Sequence, residues 1–122
     1  MEGSPVELVG LEIEEEEDIV IAHVTGELDI VGASSTGEAI VDGVPTSARA
    51  LVVDLGRLEF IDSSGIAMMF SLARRLGGRR QELRVVARGG DPVHRVLELV
   101  EFDRAAPIYE TVEEALAELS RN

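Results

Sequence analysis

Neither cysteine nor lysine occurs in this chain of 122 residues. Without thiols there is no thiolate catalysis, no cysteine zinc site, no redox switch and no disulfide framework of the secreted kind. Positive charge is scarce: 11 basic residues, all arginine, stand against 24 carboxylates, for a formal net charge of −13. Nucleic acids and anionic membrane surfaces both demand clustered cations, so neither is an expected partner. The acidic balance fits solubility, or a partner with a basic patch. No apolar stretch approaches membrane-spanning length, and MEGSPVEL lacks the basic patch and apolar core of a leader. A cytoplasmic protein is expected, and the arginine-only basic set matches the coding bias of a GC-rich bacterium.

The apparatus of an enzyme is missing too. His23 falls in a strand and His94 in a late helix, where structural or surface roles are the ordinary ones. A nucleophile elbow G-x-S-x-G is excluded, because Ile61 and Asp62 stand two residues before Ser63 and Ser64. Gly77-Gly78 follows a helix and lacks the phosphate-cradling pattern G-x-x-x-x-G-K-[ST]. The carboxylates show no ordered ligand spacing. No catalytic residue, no metal and no cofactor of its own are expected.

What is present is an alternation of strands and helices. Val6 to Ile13 and Asp18 to Val24 read as a hairpin around the acidic tract Glu14-Glu15-Glu16-Glu17, taken as a solvated turn. Thr25 to Asp29 leaves the second strand, and a weaker helix spans about Val31 to Val41. Ala50 to Leu55 has the apolar character of a strand buried on both faces. A helix beginning near Ser63 stops at Gly77-Gly78, and Glu82 to Ala87 is a further strand. Asp91-Pro92 opens a helix with a cap and a first-turn proline, its apolar face being Val93, Val96, Leu97 and Val100. Pro107-Ile108-Tyr109 is a last short strand, and Thr111-Val112-Glu113-Glu114 is a capping box before the final helix. The order predicts one α/β domain over residues 1–122, with 1–4 a flexible terminus: a mixed sheet, largely parallel after an N-terminal hairpin, packed with about four helices.

The most informative segment is Phe60-Ile61-Asp62-Ser63-Ser64-Gly65-Ile66, where a strand feeds a helix. On a helical wheel Ile66, Met69, Phe70, Leu72, Ala73 and Leu76 share one arc, while Ala67, Met68, Ser71, Arg74 and Arg75 lie opposite with both serines. Hydroxyls at a helix N-terminus meet unpaired N–H groups and a dipole that favours negative charge, so a phosphate would be accommodated there. Asp and Ser are also ordinary helix caps, and both roles remain open at this point. No Glu or Gln three residues on completes a capping box. Gly65, within the first turn, costs about 1 kcal/mol against alanine, and its place on the apolar arc predicts close approach of another backbone.

Taken in order, Thr25-Gly26-Glu27-Leu28-Asp29, Leu51-Val52-Val53-Asp54-Leu55, the Asp62-Ser63-Ser64-Gly65 element, Val93 to Leu99 and Pro107-Ile108-Tyr109 resemble the STAS domain, and within it the bacterial anti-sigma factor antagonists. That resemblance implies a STAS-like fold and phosphorylation of Ser63 by a partner that is both serine kinase and anti-sigma factor, with ATP and Mg²⁺ held by the kinase. The unphosphorylated form would capture this partner and release a sigma factor, and a phosphoserine phosphatase would reset the switch. Asp29, Asp62, Ser64, Ala67 and Met68 are the expected partner-binding residues, Ala67 and Met68 as exposed apolar contacts. Asp29 would touch the kinase or position the hydroxyl, with a turn or cap role equally open. The wheel alone slightly favours Ser64 as acceptor; the resemblance selects Ser63. Two departures stand out: Ala67 where many relatives carry glycine, and Gly89-Gly90-Asp91 in place of a Ser-Pro helix opening. The alternative is a STAS scaffold, or a subunit of a signalling or lipid-transport complex, without sigma-factor control.

Overall fold

The computed structural model describes residues 9–120, so the start of the first predicted strand and residues 1–4, expected as a flexible terminus, lie outside the described residues. The elements are β1 (Val9–Glu16), β2 (Ile19–Leu28), α1 (Ala33–Asp42), β3 (Ala50–Ile61), α2 (Ser63–Gly78), β4 (Glu82–Val86), α3 (Pro92–Leu99), a 3-10 turn at Phe102–Arg104, β5 (Ile108–Tyr109) and α4 (Val112–Leu119). They form one sheet in the order β1-β2-β3-β4-β5, with only β1 and β2 antiparallel. The expected α/β architecture is the one observed.

Three crossovers of one hand, each advancing to the next strand, place their helices on the same face. Val20, Ala22 and Val24 of β2, Leu51, Val53 and Leu55 of β3, and Leu83 and Val85 of β4 accordingly pack under α1, α2 and α3 in one core. The alternate residues Ile19, Ile21, Ala50, Val52 and Val86 point to the other face, which receives Ala115 and Leu119 of α4. Both faces of β3 are therefore apolar, as its sequence implied. Polar ties complete the seating of α4: Arg84 of β4 reaches Glu118, and the Arg49 guanidinium donates to the Leu119 carbonyl.

Several local expectations are corrected. The acidic tract is not a loop: Glu14, Glu15 and Glu16 belong to β1 and pair with Ile21, Val20 and Ile19. The turn shrinks to Glu17-Asp18, with Glu17 left-handed at φ 58°. An exposed edge strand tolerates such charge, which also discourages pairing with a foreign strand. β2 runs on to Leu28 and β3 to Ile61, because Thr25, Gly26, Glu27 and Leu28 pair with Arg57, Leu58, Phe60 and Ile61 across two register shifts. Asp91 precedes α3 without a side-chain capping bond, leaving Pro92 as its realised start signal. Only half of the expected capping box forms: Thr111 accepts from the Glu114 N–H, while the Glu114 carboxylate takes the N–H of Glu110 rather than that of Thr111.

Candidate functional site

Where β3 ends, Asp62 stays extended and its carboxylate accepts the backbone N–H groups of Ser64 at 2.8 Å and Gly65 at 3.1 Å. Asp62 is thus the N-cap of α2, and that role frees the serines from capping. Ser63 is the first helical residue, exposed, and its hydroxyl has no hydrogen-bond partner among the described residues. Ser64 is half-buried and borders a groove between α1 and α2.

The segment is anchored to the end of β2. The Asp62 N–H donates to the Leu28 carbonyl at 3.1 Å. Gly65 is buried, and a β-carbon there would stand 2.6 Å from Ile61 Cγ1 and 2.7 Å from the Leu28 carbonyl oxygen. The close backbone approach expected at this glycine is present. One residue beyond Leu28, the Asp29 carboxylate accepts the Val31 N–H at 3.0 Å, and its carbonyl accepts the N–H of Ala33. Asp29 therefore builds the turn that starts α1, the second of its two anticipated roles.

The groove between the two helices has a volume of about 500 Å³ and includes Ile30, Ala33, Gly37, Ala67, Met68 and Leu72 in its wall. Ala67 is exposed, but Met68 is not: it is 7 % accessible and belongs to the core. The expectation of an exposed Met68 fails because α2 is covered by α1 as well as by the sheet. Gly37 makes room for it; a β-carbon on Gly37 would lie 2.8 Å from Met68 Cγ. Arg75 of α2 bonds Glu38 of α1 at 2.9 Å across the same groove. Sequence reasoning missed three exposed apolar residues: Ile30 and Val31, which follow β2, and Phe60, near the end of β3, are 78, 83 and 48 % exposed. Ile30 and Val31 follow Asp29 within its turn, and an apolar pair in a polar strand-to-helix turn was the available signal.

A second polar cluster lies on the opposite face of the sheet. His23 of β2 directs Nδ1 to Asp54 Oδ2 and Nε2 to Glu14 Oε1, each at 2.7 Å. Burial opposes the charged ring, but the hydrogen bonds that the ring donates to Glu14 and Asp54, together with the charges of those carboxylates, outweigh it and raise the His23 pKa above its ordinary value. Among the described residues no group of three or more His, Asp and Glu side chains has the geometry to hold a metal ion. No described helix is long and apolar enough to cross a membrane.

Solved structures share this fold. An anti-sigma factor antagonist from Mycobacterium paratuberculosis is 32% identical with a TM-score of 0.80, the match covering 90% of this chain and 92% of that one. A protein from Thermotoga maritima is 24% identical with a TM-score of 0.79, covering 88% of this chain and 92% of its own. The Bacillus anti-sigma factor antagonist SpoIIAA shares the fold in its unphosphorylated form, at 19% identity and a TM-score of 0.74 over 93% of this chain and 98% of that one. Its phosphorylated form does so at 21% identity and 0.67, over 90% and 99%. No curated protein matches the chain. The STAS domain family matches residues 10–115, a span from β1 into α4 that includes the capped serine turn and its anchor on β2, and this chain belongs to that family.

Proposed function

We propose that this STAS domain is an anti-sigma factor antagonist whose Ser63 is the phosphorylation switch. The unphosphorylated protein binds a serine kinase that is also an anti-sigma factor, and so frees a sigma factor. The kinase, holding ATP and Mg²⁺, transfers a phosphoryl group to the Ser63 hydroxyl and the complex dissociates. A phosphoserine phosphatase restores the binding form.

The observation that carries this reading is the exposed, unbonded Ser63 hydroxyl at the start of a helix whose cap is supplied by its neighbour Asp62. A kinase can reach it without unfolding the turn. The 32% identical relative is itself an anti-sigma factor antagonist, and SpoIIAA has this fold in both phosphorylated and unphosphorylated forms. Phosphorylation adds about −1.5 to −2 charges beside Asp62 and next to Ser64, which shares a groove with the exposed Ile30 and Ala67. A partner covering those apolar residues would have to desolvate the phosphate, which opposes binding. Ser64 follows the acceptor in the chain, and Asp29 shapes the turn that presents Ile30 and Val31.

The test is labelling with the cognate kinase and ATP, followed by titration of the kinase against each form. Ser63→Ala should abolish labelling and Ser64→Ala should retain it. The phosphorylated protein should bind at least about tenfold more weakly, equivalent to 1.4 kcal/mol. Labelling that survives in Ser63→Ala, or equal affinity for both forms, refutes the proposal.

A further inference from the structure

His23 is bonded through both ring nitrogens to carboxylate oxygens. A neutral imidazole carries a single N–H, whereas ionised carboxylates only accept. Both bonds therefore form together when the ring is an imidazolium. Each carboxylate belongs to a different neighbouring strand, Glu14 to β1 and Asp54 to β3, so one proton fastens three strands side by side.

The surroundings make the loss of that proton consequential. On β1, Glu12 stands opposite His23 and Glu16 opposite Ile19, on the same face as Glu14. From β3, Arg57 shares a cavity with His23, Glu12 and Thr25. Asp54 and Arg57 border a second cavity with Arg88, which follows β4, and with Glu110 and Glu113 near the start of α4. Arg57 and Arg88 form no ion pair with these carboxylates among the described residues. The imidazolium is thus the cation that bridges Glu14 to Asp54. Among the described residues β1 is the edge strand and has β2 as its sole strand neighbour.

We infer that His23 is a proton-operated latch that holds the edge strand β1 to β3 and loosens β1 when it deprotonates. The sign follows from the direction of the shift. His23 is raised above 6.5 in the folded protein, so its contribution is complete below the unfolded value and is lost as pH rises through the higher folded one. Alkaline conditions open the latch and acidic ones down to the carboxylate range close it. The cluster lies across the sheet from α2, so the latch stands independently of the Ser63 reading.

Amide hydrogen exchange of the full chain tests it, with rates corrected for intrinsic base catalysis and compared with β4 as an internal reference. Protection of β1 in the wild type should fall about tenfold between about pH 6 and about pH 9. His23→Gln should show the low value at both. The His23 ring titration followed by NMR is the second readout. Its midpoint should lie above the ordinary histidine value and fall in Glu14→Gln, a substitution at a half-exposed side chain that preserves shape. β1 protection that does not change with pH in the wild type overturns the latch. So does a ring midpoint at or below the ordinary value, or one unmoved by Glu14→Gln.

Discussion

Replacing Gly65 by alanine adds one methyl group to a place that is already filled. Its β-carbon would fall 2.6 Å from Ile61 Cγ1, 2.7 Å from the Leu28 carbonyl oxygen and 3.0 Å from Leu28 Cβ. The side chain of Ile61 can rotate, but the carbonyl is backbone held in the β2–β3 pairing and cannot swing aside. Two effects compete. Alanine removes a glycine from a helix, a gain of about 1 kcal/mol. Overpacking costs about 1–3 kcal/mol, and displacing the Leu28 carbonyl weakens its bond from the Asp62 N–H, worth about 1 kcal/mol more. The net loss is about 1–3 kcal/mol, or roughly 4–12 °C in melting temperature at about 4 °C per kcal/mol for a domain of this size. Gly78→Ala is the matched control, since nothing lies within 4 Å of a β-carbon there; it should melt at or slightly above the wild type. Calorimetry on the three proteins measures the contrast. Gly65→Ala melting no lower than the wild type would refute the close-contact reasoning.

Other outcomes follow from the caps and the charge cluster. Thr111→Ala removes the oxygen that accepts the Glu114 N–H and should cost about 1 kcal/mol, seen as a lower urea midpoint at unchanged slope; an unaltered midpoint would mean that α4 does not depend on this cap. Between about pH 5 and about pH 6.5 the wild type should hold its largest melting-temperature advantage over His23→Gln, and the advantage should shrink as the pH rises further. A gap that widens toward alkaline pH would reverse the assigned sign.

Much of this architecture was legible because burial imposes periodicity. Ala50 to Leu55 announced a strand covered on both faces, and Ile66, Met69, Leu72 and Leu76 announced the side of α2 that meets the core. Gly65 was readable for the same reason: a glycine on the buried arc of a first helical turn needs a close neighbour. The wheel failed at Met68, since it knows one buried side and α2 has two, the second created by Gly37 of α1. The glutamates of β1 misled because an edge strand does not need apolar residues on its open side. At the serine turn, residue type alone left capping and phosphorylation undivided; in three dimensions Asp62 takes the cap, leaving the Ser63 hydroxyl outside it. The bridge from Glu14 through His23 to Asp54 was not legible, because it depends on which strands are adjacent and in what register.

The order of strands in the sheet repeats their order along the chain. During synthesis each strand leaving the ribosome finds its neighbour already in place, beginning with a hairpin that needs only local contacts. The growing sheet always has one newly available edge, and each crossover helix can cover the same side as it arrives. The opposite side has a different history: Ile19, Ile21, Ala50, Val52 and Val86 await α4, which comes after all five strands. An intermediate halted before that helix docks would have complete strand order and one uncovered apolar surface, which makes this the stage of maturation most exposed to aggregation and to capture by chaperones.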